Sequence, residues 1–270
     1  MAFTDVKELT VYVVEPSHVQ ARFITGHLKS LGVENIEIFT DGAAVLTKMG
    51  SKQPDVVVSS LYLPDMTGTD LIYKIRANPV LKGIAYILIS SETNPRYLES
   101  IRQAGACAIV PKPFEPLQLY TALMSTLDYL SPDALRVETD NVDVENLHVL
   151  IVDDSSSARG FIRRVLENLG IRHFSEAANG KEAVTLIDEV EFDLIFTDYN
   201  MPEMDGKELV EYIRLKSWQS AVPVLMISSE HNEGRLASVQ QAGVSAICDK
   251  PFEPRMVKGL IEKMLAQRQV

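Results

Sequence analysis

The chain has 270 residues, 26 Lys and Arg against 37 Asp and Glu, a formal net charge of −11 and two cysteines. That length predicts two domains, and 46% hydrophobic with 23% charged residues is the balance of a globular chain rather than a disordered one. Three classes drop out: the acidic balance argues against a nucleic-acid surface, apolar runs such as Val222-Pro-Val-Leu-Met-Ile are far shorter than the ~20 residues of a membrane span, and Cys107 and Cys248 supply neither a disulfide framework nor a zinc spacing.

The sequence repeats itself. Lys112-Pro-Phe-Glu-Pro returns as Lys250-Pro-Phe-Glu-Pro, 138 positions on (250 less 112). Gln103-Ala-Gly and Gln241-Ala-Gly, Ser90-Ser-Glu and Ser228-Ser-Glu, Pro64 and Pro202, Gly68 and Gly206, and Gly32 and Gly170 keep the same offset. A constant offset over so long a span means two copies of one domain, each with its own core. In chain order the organisation is a first copy at 1–128, a linker at 129–146 and a second copy at 147–270. The linker carries five acids and one Arg, with Leu135 and Val137 able to dock on a neighbour.

The second copy alternates short apolar runs with helical stripes. Val149-Leu-Ile-Val reads as a buried strand ending at Asp153-Asp154. Ser155 caps a helix with the stripe Phe161, Ile162, Val165, Leu166 and Leu169, closed by Gly170. A strand near Phe174 ends at the turn signal Asn179-Gly180, and 182–190 is helical. Asp193-Leu-Ile-Phe-Thr-Asp is the third strand and 207–214 the third helix; Val224-Leu-Met-Ile-Ser is the fourth strand, followed by a helix closing at Gly243. Ala246-Ile-Cys is the fifth strand and 256–265 the last helix. Five strands each followed by a helix predict an α/β fold, here two tandem doubly wound domains of the flavodoxin-like kind, each with a five-stranded parallel sheet.

Ligands of such sheets sit beyond the carboxyl ends of the strands, where the second copy places Asp153, Asp154, Asp198, Ser228 and Lys250. A single Asp there is usually a helix cap; five polar groups together at the right ends point to chemistry. Three converging carboxylates call for a hard divalent cation, and oxygen ligands suit Mg2+. Asp198 can then attack phosphorus to give an acyl phosphate, with the metal and Lys250 neutralising charge and Ser228 donating a hydrogen bond.

Val-Asp-Asp at 152–154, Thr-Asp-Tyr-Asn-Met-Pro-Glu-Met-Asp-Gly at 197–206, Ile-Ser-Ser at 227–229 and Lys-Pro-Phe at 250–252 resemble, in order, the motifs of the CheY-like receiver domain of bacterial response regulators. The resemblance implies that Asp198 accepts phosphate from a histidine kinase or histidine phosphotransfer protein. It also implies Mg2+ held by Asp154, Asp198 and the main-chain carbonyl of Asn200, with Asp153 assisting through water. Ser228 becomes the switch hydroxyl and Lys250 the cation, followed by a cis peptide. Asn200 and Glu230 fall where the family tunes hydrolysis, and being polar they predict a short-lived phosphate. One departure stands out: three residues before Lys250, where many receivers carry a mobile aromatic, this chain has Ile247.

At the same offset the first copy offers Glu15 for Asp153, Pro16 for Asp154, Ser60 for Asp198 and Tyr62 for Asn200, while Ser90 and Lys112 remain. With two of three carboxylates gone, Mg2+ has one charged ligand, and the hydroxyl of Ser60 has no evident adjacent base. Pro16 is expected in the first turn of a helix, and Lys112 to pair with Glu15. A serine-hydrolase reading fails, because Ser60 sits in Val-Ser-Ser-Leu-Tyr rather than Gly-x-Ser-x-Gly. The first copy resembles a pseudo-receiver, without phosphoacceptor chemistry and serving docking or dimerisation.

The functional expectation is a response regulator of a two-component system, limited to self-phosphorylation and self-dephosphorylation rather than enzymatic turnover. Expected partners are the kinase or phosphotransfer protein, a downstream protein target and a second copy of the chain, with neither nucleic acid nor membrane. The N-terminus lacks a basic-then-apolar signal pattern, which predicts a cytoplasmic location. Two other roles fit the same residues: the regulatory half of a longer output protein, such as a cyclic-dinucleotide enzyme or transcription factor, and a phosphate sink or scaffold.

Overall fold

The computed structural model describes residues 6–92, 98, 100–101, 103–130, 143–228, 233–250 and 254–267. The chain divides into two compact units, Met1–Ala134 and Leu135–Val270.

In the first unit the strands are β1 (Thr10–Val14), β2 (Asn35–Phe39), β3 (Val56–Ser60), β4 (Ala85–Ser90) and β5 (Ala108–Pro111). The helices are α1 (His18–Ser30), α2 (Gly42–Met49), α3 (Gly68–Ala77) and α4 (Pro116–Leu130). In the second unit the strands are β6 (His148–Val152), β7 (His173–Ala177), β8 (Leu194–Asp198), β9 (Val224–Ser228) and β10 (Ala246–Asp249). Its helices are α5 (Ser156–Asn168), α6 (Gly180–Glu189), α7 (Gly206–Leu215), α8 (Glu233–Gln241) and α9 (Pro254–Gln267). All ladders are parallel, in the orders β2-β1-β3-β4-β5 and β10-β9-β8-β6-β7. Each sheet is the flavodoxin-like 2-1-3-4-5 arrangement, whose order reverses beside its first strand and leaves a crevice there.

The central strands read as continuous apolar runs because both faces are covered. Every residue of β3, β4, β8 and β9 is buried. One face of the first sheet packs Tyr12, Val57, Tyr86 and Leu88 against Leu71, Ile72 and Ile75 of α3. The second repeats this with Leu150, Ile195 and Val224 against Leu209, Val210 and Ile213 of α7.

The repeat survives as matched local devices. Gly32 and Gly170 have φ of 100° and 106°, and Gly105 and Gly243 have 82° and 95°, values that favour glycine. Asp55 Oδ2 accepts the Thr10 amide at 2.7 Å, and Asp193 Oδ2 the His148 amide at 2.9 Å. Ser17 and Ser155 cap α1 and α5.

Three expectations are corrected. Asn179-Gly180 is not a turn but a helix start: Asn179 Oδ1 accepts the Glu182 amide at 2.9 Å, and Gly180 lies so close to Met204 that a Cβ would fall 2.7 Å from its carbonyl. Pro16 lies outside the first helical turn, because Ser17 is the N-cap and α1 begins at His18. At the C-terminal end of the first unit, α4 runs through Tyr129 and Leu130, both buried, two residues into the stretch read as linker. Leu135 and Val137 lie outside the described residues, as do Glu230 and Pro251. In the first unit the Lys112–Pro113 peptide is cis.

Candidate functional site

The C-terminal ends of β6, β8 and β10 carry the charged groups of the second unit. Asp153 and Asp198 are almost wholly buried, and Asp154 is exposed. One carboxylate oxygen of each lies within 4.8 Å of the other two. Among the described residues this is the one group of three or more Asp, Glu, His or Cys side chains close enough to share a cation. Lys250, also buried, reaches in from the end of β10. Its Nζ is 2.6 Å from Asp153 Oδ2 and 3.0 Å from Asp198 Oδ1.

The backbone sets these positions. The Asp153 amide donates to Ala177 O at 3.2 Å, continuing the ladder past β6, while Asp153 Oδ1 accepts the Ser155 amide at 2.9 Å. The Lys250 amide donates to Ser228 O at 2.9 Å, which ties the lysine to the end of β9. Gly206 lets α7 start against the end of β8: its amide donates to Tyr199 O at 2.9 Å, and a Cβ there would collide with Asp198 O. Ser228 is fully buried, Asn200 is exposed, and Ile247 is half-buried against the second core.

The electrostatics follow from this crowding. Partial loss of water around its carboxyl and then the neighbouring Asp153 carboxylate push Asp154 up even though the residue is exposed, against a weaker opposing pull from Lys250. Burial alone lowers the Lys250 ammonium, but the Asp198 and Asp153 carboxylates outweigh it and raise the pKa above its ordinary value. The donor set is all oxygen, two carboxylates buried and one open to solvent, which fits a hard cation such as Mg2+ that keeps water ligands.

The first unit builds the same frame with other groups. Lys112 Nζ is 2.9 Å from Glu15 Oε2, 2.9 Å from Ser60 Oγ and 2.5 Å from Gln20 Oε1. Ser60 Oγ also donates a short hydrogen bond to Glu15 Oε2, and the Ser17 amide donates to Glu15 Oε1 at 2.9 Å. The predicted Lys112–Glu15 pair is present. The expectation that Ser60 has no adjacent base is corrected: Glu15 is bonded to it, yet that carboxylate is already engaged by a serine, a lysine and an amide. Burial raises the Glu15 pKa, but the hydrogen bonds from Ser60, the Ser17 amide and Lys112 bring it below the ordinary value. Ser90 is buried and accepts the Glu92 amide at 2.9 Å, whereas Tyr62 is exposed. Pro16 offers no ligand where the second unit has Asp154.

Two residues escaped the sequence reading. Gln20 completes the Lys112 cage. Arg159, one turn into α5, donates from Nη1 to Asp153 O at 2.7 Å and from Nε to Glu176 Oε2 at 3.0 Å. Its only sequence signal is the contrast with Ala21 at the same place in the first copy.

Comparison with known proteins gives a consistent result. The family model for the response regulator receiver domain matches residues 11–124 and again 149–262. The chain is 36% identical over 118 residues to the chemotaxis protein CheY of Pseudomonas aeruginosa, covering 44% of this chain and 95% of that protein. It is 35% identical over 120 residues to the chemotaxis protein CheY-3 of Vibrio cholerae, covering 44% of this chain and 92% of that protein. Among solved structures, the chemotaxis response regulator CheY4 of Vibrio cholerae is 31% identical, with a TM-score of 0.41, over 44% of this chain and 98% of that one.

Proposed function

The chain belongs to the response regulator receiver family, and we propose that it is a two-component signalling protein in which only the second receiver is a phosphoacceptor. The observation that carries this reading is the cluster of Asp153, Asp154 and Asp198 with Lys250 seated against two of them.

In this reading Asp198 takes the phosphoryl group from a phosphohistidine of a kinase or phosphotransfer protein. A carboxylate oxygen of Asp198 forms the new P–O bond, the P–N bond breaks, and the imidazole leaves with its electron pair. Asp154, Asp198 and the main-chain carbonyl of Asn200 would hold Mg2+, with Asp153 assisting through water. When bound, the cation supplies charge neutralisation to the phosphoryl oxygens. Lys250, already beside Asp198, holds one of those oxygens by a charge-assisted bond. Ser228 is the hydroxyl that moves onto the phosphate, and Asn200 and Glu230 orient the water that hydrolyses it. With Ile247 in place of an aromatic, the change travels through β9 and the following helix and switches protein–protein contacts.

The first receiver is a non-phosphorylatable docking or dimerisation module. Support comes from its pocket, where Glu15, Ser60, Gln20 and Lys112 satisfy one another. The test is fluorine NMR of the full chain with beryllofluoride, a phosphoryl mimic, and Mg2+. One bound mimic per chain, absent without Mg2+ and absent in Asp198→Asn, is the expected result. Binding that survives Asp198→Asn contradicts the reading.

A further inference from the structure

We propose that Arg159 is a positioning residue for the metal-binding carboxylates, acting through the peptide that joins Asp153 to Asp154. The proposal rests on the assignment of Asp153, Asp154 and Asp198 as the Mg2+ site.

The guanidinium makes two bonds in different directions. Nη1 donates to the carbonyl of Asp153 at 2.7 Å, and Nε to Glu176 Oε2 on β7 at 3.0 Å. Glu176 is held in turn by Arg163 at 3.0 Å through its other oxygen. The Arg159 side chain is only 17% exposed. The carbonyl it grips belongs to the Asp153–Asp154 peptide unit. A peptide is planar, so fixing the direction of its C=O fixes the direction in which the Asp154 Cα leaves the strand. Asp154 is the one exposed carboxylate of the three and has the most freedom to point elsewhere. Gripping the preceding carbonyl aims it without adding a ligand.

The first unit shows that the turn itself does not need this arginine. At the same offset Ala21 replaces Arg159, Ile38 replaces Glu176, Thr25 replaces Arg163 and Lys29 replaces Glu167. Yet the strand-to-helix turn is the same. The Glu15 amide bonds Phe39 O at 2.9 Å as Asp153 bonds Ala177 O. The Ser17 amide reaches Glu15 Oε1 at 2.9 Å as Ser155 reaches Asp153 Oδ1. Serine caps both helices. The copy with all three carboxylates has the arginine and its anchor; the copy reduced to Glu15 has neither. A lysine could not do the same work, since one ammonium on a flexible stem lacks the planar fork that holds two acceptors in fixed directions.

Titration calorimetry of the full chain with MgCl2 tests this, alongside urea unfolding in Mg2+-free buffer. Wild type binds Mg2+, Arg159→Ala binds it about tenfold or more weakly, the size of effect typical when a residue supporting a metal ligand is removed, and Arg159→Lys falls between. Glu176→Ala, a surface change that removes the anchor and with it the Arg163 pair but leaves Arg159 in place, weakens binding several-fold and carries the test if Arg159→Ala does not fold. A purely structural arginine predicts the reverse: a lower urea midpoint with unchanged Mg2+ affinity in the folded variants. Affinities within twofold of wild type in the folded variants overturn the proposal, whereas failure of wild type to bind Mg2+ overturns the site assignment on which it rests.

Discussion

Lys250 Nζ lies 3.0 Å from Asp198 Oδ1, with both side chains buried. Two buried carboxylates, Asp198 and Asp153, share this one ammonium, so neither faces the other uncompensated. Under the proposed function, the same ammonium would also supply the counter-charge to a phosphoryl group on Asp198.

Removing it should therefore cost both stability and chemistry. Lys250→Met leaves two buried carboxylates without their partner, a change worth about 3–5 kcal/mol, and slows phosphorylation about 100-fold, the scale for losing one transition-state donor. Urea unfolding and acetyl phosphate kinetics measure the two effects. The raised Lys250 pKa adds a direction in pH. A raised value means the stabilisation is fully present below the ordinary lysine value of 10.5 and is lost as pH rises through the higher folded value. Wild type should converge on Lys250→Met in stability only at strongly alkaline pH; a constant gap across that range contradicts the pairing.

Glu15 gives the opposite sign in the first unit. Its pKa lies below 4.5, so its contribution is present above that value and is lost as pH falls through the lowered one. Glu15→Gln removes hydrogen bonds to a charged group, about 1.5–3 kcal/mol, at neutral pH and progressively less in acid. Unfolding curves of the two proteins between pH 7 and pH 3 should draw together. If they stay parallel, Glu15 is not ionised in its cage.

Glycines 68 and 206 should be intolerant of even one methyl group. A Cβ at Gly68 would fall 2.6 Å from Ser60 O and 2.8 Å from Leu88 Cδ1, and one at Gly206 would collide with Asp198 O. Gly68→Ala and Gly206→Ala each destabilise their unit by about 1–3 kcal/mol, the usual range for overpacking. Gly206→Ala is also expected to slow phosphorylation, because the clash is with the carbonyl of Asp198, the proposed acceptor. Gly83→Ala, with open space around it, is the neutral control in the same urea assay.

Most of the fold was legible because each strand is a short buried run and each helix a stripe. The offset then exposed shared devices, such as the glycines at φ near +100°. The gathering of Asp153, Asp154, Asp198 and Lys250 was legible because all four fall at the carboxyl ends of strands of one parallel sheet. What escaped depends on distances between segments far apart in sequence. Glu15 meeting Ser60 spans 45 positions, and Gln20 meeting Lys112 spans 92; no local pattern encodes either. Asn179-Gly180 was misread because the same dipeptide serves a hairpin turn and a helix cap, and only the close approach of Met204 decides between them.

The central claim is that two receivers of one design differ in chemistry, and intact-mass measurement after treatment with acetyl phosphate and Mg2+ tests it most directly. Wild type and Ser60→Asp should each gain a single phosphoryl group, the latter because Pro16 still denies its first pocket the third carboxylate, the counterpart of Asp154, and Asp198→Asn should gain none. Phosphorylation of Asp198→Asn, or a second phosphoryl group on the wild-type chain, contradicts the account.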